Sequence, residues 1–332
     1  IIEGNQIYRV FQRQGFAIYG KSCGVAKIIS LSPTEYREEV CSFIEPIVFG
    51  AEYFTAFGFI STGPNFELEP RVGSKAIINE ENTPEGNKSF VYFFGGGNYN
   101  SSTASGLDLL TNNNGTFSTF DENILKYEQG QINKDSDFNG KMNFLSSVPG
   151  FTTNEMWNFA INKSNTGQAM IIGGVTYDSN TTIYTTLNTV AKYNFTTKTW
   201  TAEKLLNRQR EHPMCVRYVP DSNNPTNGVY YVIGGKDRNA SVQILSNLEI
   251  STDDGASWTL RQDIPLNIAR CNAVCEIIGT YIYVIGGEGE APNYSLDTIE
   301  RLNLENINAG WELMEQRFPY DFTGGAGILL SS

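Results

Sequence analysis

The chain has 332 residues, and 24 basic against 36 acidic side chains give it a formal net charge of −12. A surface of that sign repels nucleic-acid phosphates and anionic lipid headgroups, so neither is an expected partner. No apolar run reaches the roughly 18–20 residues of a bilayer-spanning helix, so membrane insertion is not expected either.

The chain opens at Ile1, without Met or a basic-then-apolar leader, as expected of an exported chain whose signal peptide has been removed. Near the start, the strand-like runs VAKIISL and YREEV are joined by a Ser-Pro turn. An antiparallel pair of that kind can bring Cys23 and Cys41 within the roughly 4.4–6.8 Å between Cα atoms that a disulfide requires. In an exported chain they are the expected bridge. The remaining cysteines are Cys215, Cys271 and Cys275, and the odd total of five leaves one outside any pairing. Cys271 and Cys275 read as residues of one strand, roughly 13 Å apart at about 3.3 Å per residue, too far to bond each other.

Further along, a β-rich run ending in a glycine pair recurs as VYFFGG (Val91 to Gly96), AMIIGG (Ala169 to Gly174), YYVIGG (Tyr230 to Gly235) and YIYVIGG (Tyr281 to Gly287). Each reads as a buried strand stopped by residues free to turn into positive φ. Weaker versions without the double glycine occur at FAIYGK (Phe16 to Lys21) and YFTAFGF (Tyr53 to Phe59). After the last three glycine pairs come the short strands TVAKYNF, NLEIST and TIERLNL, each followed by Trp200, Trp258 or Trp311. An Arg then opens the next unit: Arg210, Arg270 and Arg317, with Arg71 in the same place before VYFFGG. Cys215 and Cys275 each lie five residues after their Arg and keep the same register. The unit is thus four strands with a terminal aromatic packed between neighbours. EENTPEGNKS (Glu80 to Ser89) and DSNNPTNG (Asp221 to Gly228) read as insertions between first and second strands. The C-terminal TGGAGILLSS reads as a further first strand, expected to pair with N-terminal strands and close the ring.

This pattern resembles the Kelch repeat, with the match running from about Ser89 to Gly327. The resemblance implies an all-β fold, a β-propeller of four-stranded blades around a channel. Counting the two weak units gives six blades, with seven as the alternative, in a single domain over residues 1–332. Within the repeat, Ser251, Asp253, Gly255 and Trp258 fit S-x-D-x-G-x-x-W, similar to the Asp box of sialidases. That is a hairpin turn between third and fourth strands, with the Asp carboxylate capping backbone N–H groups.

No metal site is expected: there is no C-x-x-C, and His212 is the only histidine. A copper site like that of galactose oxidase-like propellers takes two His and two Tyr, and with His212 alone it cannot be assembled. No P-loop, dinucleotide fingerprint or G-x-S-x-G occurs, so no cofactor and no nucleophile is expected. A sialidase reading lacks the repeated Asp boxes. A mutarotase-like propeller, which needs little beyond an acid–base pair, is the enzyme alternative.

The candidate ligand-binding set is Arg71, Arg210, Arg270 and Arg317. In Kelch domains the stretch opening the innermost strand approaches one end of the channel. Guanidiniums converging there can hold a carboxylate or sulfate through paired hydrogen bonds, unless each is spent on carbonyls of its own blade. Sequons for N-glycosylation start at Asn87, Asn100, Asn114, Asn162, Asn180, Asn194, Asn239 and Asn293. The combined expectation is a non-enzymatic, secreted propeller that presents loops to a protein or glycan partner or to its own copies. An intracellular Kelch adaptor is the alternative.

Overall fold

The computed structural model describes residues 2–3, 6–14, 21–32, 35–44, 74–99, 117–120, 123–128, 135, 137–142, 156, 158–178, 183–221, 223–290, 295–322 and 329–330. Among them there is no α-helix. The strands form antiparallel sheets consistent with a β-propeller, four of which correspond to the glycine-pair repeats.

The N-terminal sheet contains β1 (Ile2–Glu3), β2 (Gln6–Gln14), β3 (Lys21–Ser32) and β4 (Glu35–Ile44). It is a meander of long strands, and its order differs from that of a glycine-pair blade. The first regular blade contains β5 (Lys75–Thr83), β6 (Gly86–Phe94) and β9 (Leu125–Glu128). A hairpin of β7 (Gly97–Tyr99) and β8 (Phe117–Phe120) is inserted after its glycine pair. The second blade runs β10 (Ala160–Lys163), β11 (Ala169–Ile172), β14 (Val190–Asn194), β15 (Thr199–Ala202), with a hairpin of β12 (Val175–Asp178) and β13 (Ile183–Thr186) at the same place. The third is β16 (Met214–Tyr218), β17 (Val229–Ile233), β18 (Leu248–Ser251) and β19 (Thr259–Arg261). The fourth is β20 (Val274–Ile278), β21 (Tyr281–Ile285), β22 (Leu296–Asn303) and β23 (Trp311–Phe322). The last strand, β24 (Leu329–Leu330), pairs in parallel with β1, Ile2 opposite Leu329 and Glu3 opposite Leu330. The C-terminus therefore joins the N-terminal sheet, as the sequence predicts.

The first strands β5, β10, β16 and β20 lie side by side, and apolar residues fill the spaces between blades. Met214, Val216, Ile233 and Leu248 of the third blade pack on Ile282, Val284 and Leu302 of the fourth. Trp311 sits in that junction, Trp258 in the preceding one, and Trp200 packs against the first. The Trp at the end of each unit is thus a wedge between blades, as its repeat-fixed position predicts.

The glycine pairs have a specific geometric cause. Their first members, Gly95, Gly173 and Gly234, have φ of 58°, 66° and 58°. A Cβ there would lie 2.3 Å from the Met156 carbonyl oxygen, 2.4 Å from that of Arg210 and 2.3 Å from that of Arg270. In each case the carbonyl belongs to the lead-in of the following blade. It accepts a hydrogen bond from the second glycine: Gly96 N–H to Met156 at 3.0 Å, Gly174 to Arg210 at 2.6 Å, Gly235 to Arg270 at 3.0 Å. The double glycine is therefore the place where one blade's backbone touches the next.

Two sequence expectations need revision. EENTPEGNKS is not an insertion: its ends extend β5 and β6 around a two-residue turn, Thr83 opposite Gly86. Cys271 is not on a strand with Cys275. It forms a single bridge with Glu288 ahead of β20, and both thiols are free. The β3–β4 register sets Cys23 opposite Ile44, while Cys41 falls in a bulge beside the Val25–Ser42 pair. The side chains of both cysteines lie outside the described ones, so the expected bridge is not addressed. Of FAIYGK only Lys21, the first residue of β3, is among the described residues, so its reading as a weak blade strand is not addressed. YFTAFGF lies wholly outside the described residues, so the six-blade count rests on a stretch not described.

Candidate binding surface at the channel mouth

Loops joining second to third strands, and the lead-ins from one blade to the next, share one end of the array, the mouth. Arg210 and Arg270 are there, but turned inward and fully buried. Arg210 donates to the Gly234 carbonyl at 2.5 Å, the Asn247 carbonyl at 3.2 Å and Asn247 Oδ1 at 2.5 Å. Its Nε and Nη2 reach Glu249 Oε1 at 3.3 and 3.2 Å. Arg270 repeats the pattern one blade on, to the Gly286 and Thr298 carbonyls at 2.9 and 3.1 Å and to Glu300 Oε1 at 2.6 Å. Each glutamate also accepts three N–H groups from the lead-in: Asn207 N and Nδ2 and Arg208 N for Glu249, Asn267 N and Nδ2 and Ile268 N for Glu300. These guanidiniums are fully spent on the joints. They do not form the anion-binding ring expected from the sequence.

Arg317 differs for another reason. It lies on the outer strand β23 opposite Thr298, exposed, with Nη1 at 2.9 Å from Asp297. It opens no inner strand. Arg71 lies outside the described residues.

The joint is absent from the second blade, where both partners are replaced together. In the register, Glu249 pairs with Val232 and Glu300 with Val284; the same position in the second blade is Ala191, opposite Ile171. The residue there whose carbonyl meets the glycine pair is Met156. Met156 and Ala191 are both buried in the aromatic cluster with Phe94 and Tyr193. An apolar pair thus stands in the second blade where an ion pair stands in the later ones. In the first blade the glutamate position is Leu125, opposite Phe93, and the arginine position is Arg71, outside the described residues.

What remains at the mouth is a charged cluster, part of it buried and part half-exposed. Asn158, His212 and Asn272 occupy equivalent lead-in positions at φ of 56°, 47° and 53°. They are linked by His212 N–H to Asn158 O at 2.6 Å and Asn272 N–H to His212 O at 3.0 Å. Next to them Glu211 bridges Lys236, and Cys271 bridges Glu288. Arg238 Nε meets Glu211 Oε2 at 2.8 Å, and its guanidinium lies 5.5 Å from the Tyr184 ring. Lys236 Nζ is 3.6 Å from Glu288. Val242, on the same third-blade loop, is 60% exposed.

Burial dominates the titration of this cluster. It raises the Glu211 carboxyl, against the pull of Arg238 and Lys236. The half-buried His212 is pushed down to about 3 by desolvation, helped by the fields of Lys75, Arg238 and Lys236, so its ring is neutral at pH 7. Burial lowers the Lys75 ammonium. The Cys215 thiol is pushed up to about 12 by burial, and Cys271 and Cys275 are raised well above the ordinary thiol range. Thiolate chemistry is therefore suppressed at these three positions. Among the described residues no group of three His, Cys, Asp or Glu side chains is placed to hold a metal. No helix among them is long and apolar enough to cross a membrane.

The Asp-box turn forms at the opposite end, as the motif predicts. Asp253 Oδ1 accepts Ser251 Oγ and Ser257 N at 2.9 Å each, and Ser251 Oγ accepts Gly255 N at 2.8 Å. Of the sequon asparagines, Asn87 and Asn239 are exposed and Asn194 is half-buried. Asn194 Oδ1 caps the turn to Thr196 and Thr197. The half-buried Asn162 donates Nδ2 to the Cys215 carbonyl across the blade junction at 3.5 Å, which occupies the atom a glycan would need. Asn100, Asn114, Asn180 and Asn293 lie outside the described residues.

Sequence reasoning missed Glu249, Glu300, Asn207 and Asn267 as a unit. The signal was present: an Asn three residues before each Arg, and a Glu in each third strand. It also missed Lys75, which is the one charged residue at a position that is Ala160, Met214 or Val274 in the other blades.

A profile of the Kelch motif matches residues 269–306, the span from the Arg270 lead-in through β22. These residues are a Kelch motif. The solved structure described as "Structure of YjhT" is similar to this chain at 14% identity, with a TM-score of 0.44, covering 76% of this chain and 67% of that one. A search of the curated proteins returned no match.

Proposed function

We propose that this chain is a non-enzymatic, exported Kelch-type propeller whose mouth docks a protein or glycan partner. Kelch repeats generally mediate protein binding. The observation that carries the reading is the division of labour among the charges. Arg210, Glu249, Arg270 and Glu300 are buried and consumed by the joints, whereas Lys236, Arg238 and Glu288 stand half-exposed on loops beside the exposed Val242. Fixed joints hold those loops in place before a partner arrives, which lowers the ordering cost of association.

Photo-crosslinking tests the docking face. A photoreactive residue at Val242 is expected to trap a discrete partner band, and one at Glu305, on the turn after β22 at the other end, is not. Equal capture from both positions, or capture from Glu305 alone, refutes a partner at the mouth. Export is tested by intact mass: hexose on Asn87 or Asn239 supports it, while bare asparagines on the native protein favour the intracellular adaptor. Turnover of a reducing sugar's anomers, lost on changing Glu211, would favour the mutarotase-like alternative instead.

A further inference from the structure

We propose that the Glu211–Arg238 pair is an acid-released prop for the blade-two hairpin. Arg238 holds β12–β13 against the blade-three loop while Glu211 is a carboxylate, and protonation of Glu211 frees the hairpin. The proposal concerns how one side of the mouth is held, and it stands whether or not a partner docks there.

Strands β12 and β13 pair with each other and belong to no larger sheet, so their orientation over the mouth depends on contacts with neighbours. Arg238, on the blade-three loop, supplies two of these. Its backbone N–H donates to Thr186 Oγ1 at 3.3 Å, at the foot of the hairpin, and its guanidinium lies 5.5 Å from the Tyr184 ring. A third contact points the other way, Nε to Glu211 Oε2 at 2.8 Å. Glu211 is a fixed anchor, since it exchanges both backbone hydrogen bonds with Lys236 at 2.8 Å each. Its side chain is 1% exposed against 33% for that of Arg238, so the acid is rigid and the cation can turn to water. The pair occurs at one junction. Cys271 stands where Glu211 does one blade on, as its matching bridge to Glu288 shows. Counted from the glycine pair, Glu290 stands where Arg238 does.

A neutral carboxyl is a weaker acceptor for a guanidinium than a carboxylate, and a half-exposed Arg238 regains water on leaving it. Burial raises the Glu211 carboxyl above the ordinary carboxylate range, so its proton arrives in mild acid. Arg238 and Lys236 oppose that rise, and Glu288, 3.6 Å from Lys236, adds to it. With Arg238 turned away, Glu211 keeps its burial and loses the guanidinium's pull. The open form therefore binds the proton more tightly than the closed one, and acid favours opening. Of the other groups around it, Arg210 is bound to Glu249, and Asp237 is buried on the blade-three loop. His212, pushed down to about 3, and Cys271, raised well above the ordinary thiol range, stay uncharged through mild acid.

Hydrogen exchange of the full chain, read by mass spectrometry, tests the prop. Protection of the β12–β13 peptides is taken as a ratio to that of β16–β17 in the same sample, which cancels the intrinsic dependence of exchange on pH. Between about pH 7.5 and about pH 5 the ratio should fall about fivefold or more. Glu211→Gln, an uncharged isostere, should show the low ratio already at neutral pH with no further loss in acid, and Arg238→Met should do the same. A ratio independent of pH in the unaltered protein overturns the proposal without recourse to any variant. So does a Glu211→Gln protein that keeps the original ratio or its pH step, which would assign the step to another acid. If Glu211→Gln loosens β16–β17 as well, Arg238→Met at its half-exposed site decides, and a pH step that survives it overturns the prop. Crosslinking at Val242 enters none of these outcomes, so the docking face and the prop fail separately.

Discussion

Removing one member of a buried ion pair strands the other, and the Arg210–Glu249 joint allows this to be measured against an internal control. Both side chains are fully buried. Glu249→Ala leaves the guanidinium with three oxygens from Gly234 and Asn247 and no counter-charge, and removes the acceptor from Asn207 and Arg208. Arg210→Met leaves a carboxylate held by three N–H donors and no cation. Breaking a buried pair in this way costs about 3–5 kcal/mol, so each single change should lower stability by that amount. The double variant copies Met156 and Ala191, the apolar pair the second blade already uses. If the charges mainly serve each other, the double variant should cost no more than one single change, a coupling of about 3 kcal/mol or more. Urea unfolding of the four proteins in a double-mutant cycle reads the coupling directly. Additive losses, or single changes costing under about 1 kcal/mol, would refute the account of the joint as a mutually dependent pair.

Three further outcomes follow from the same geometry. Gly234→Ala should destabilise by about 2–4 kcal/mol, from positive φ and collision with the Arg270 carbonyl together. Gly279→Ala, also at positive φ but with nothing within 4 Å, should cost only about 1–2 kcal/mol in the same denaturation assay. The folded-state pKa of His212 lies below its unfolded value, so its contribution is intact above about pH 6.5 and is lost as pH falls toward about 3. His212→Asn, which copies Asn158 and Asn272 and tolerates positive φ, should flatten that part of the stability–pH curve; an unchanged slope would count against a neutral histidine. Cys215, Cys271 and Cys275 should resist iodoacetamide at pH 8 in the native protein and react on unfolding, as followed by peptide mass spectrometry.

The blades were readable because their signals repeat. A glycine pair, a third strand and a Trp recur at similar offsets, and each is fixed by contacts between blades. What the letters do not carry is direction. Arg210 and Arg270 occupy repeat-equivalent positions whether the guanidinium points into the channel or into the next sheet, and only Glu249, 39 residues further on, decides it. Arg317 follows its Trp by only six residues, against ten and twelve for Arg210 and Arg270, and the fourth blade's outer strand, twelve residues long, simply continues through it. The N-terminal sheet lacks the glycine pair, so nothing in its sequence distinguishes a blade from the long meander that forms. Lys75 was legible only by comparison across units: a charge in a column of Ala160, Met214 and Val274.

The contact between a glycine pair and the following lead-in also bears on how such a chain could be lengthened or shortened. Gly234 is shaped by Arg270, and Arg270 in turn is satisfied by Gly286, Thr298 and Glu300. The charged part of a joint therefore lies within one unit, from the lead-in ahead of its first strand to the glutamate of its third, and only a backbone carbonyl crosses to the glycine pair of the unit before. A duplication cut at the glycine pairs would separate each Arg from its Glu. One cut just ahead of a lead-in would carry the matched pair, Arg–Glu or Met–Ala, into its new place and leave at the seam a carbonyl that any residue supplies, so that charged and apolar units can be mixed in one array without a stranded charge.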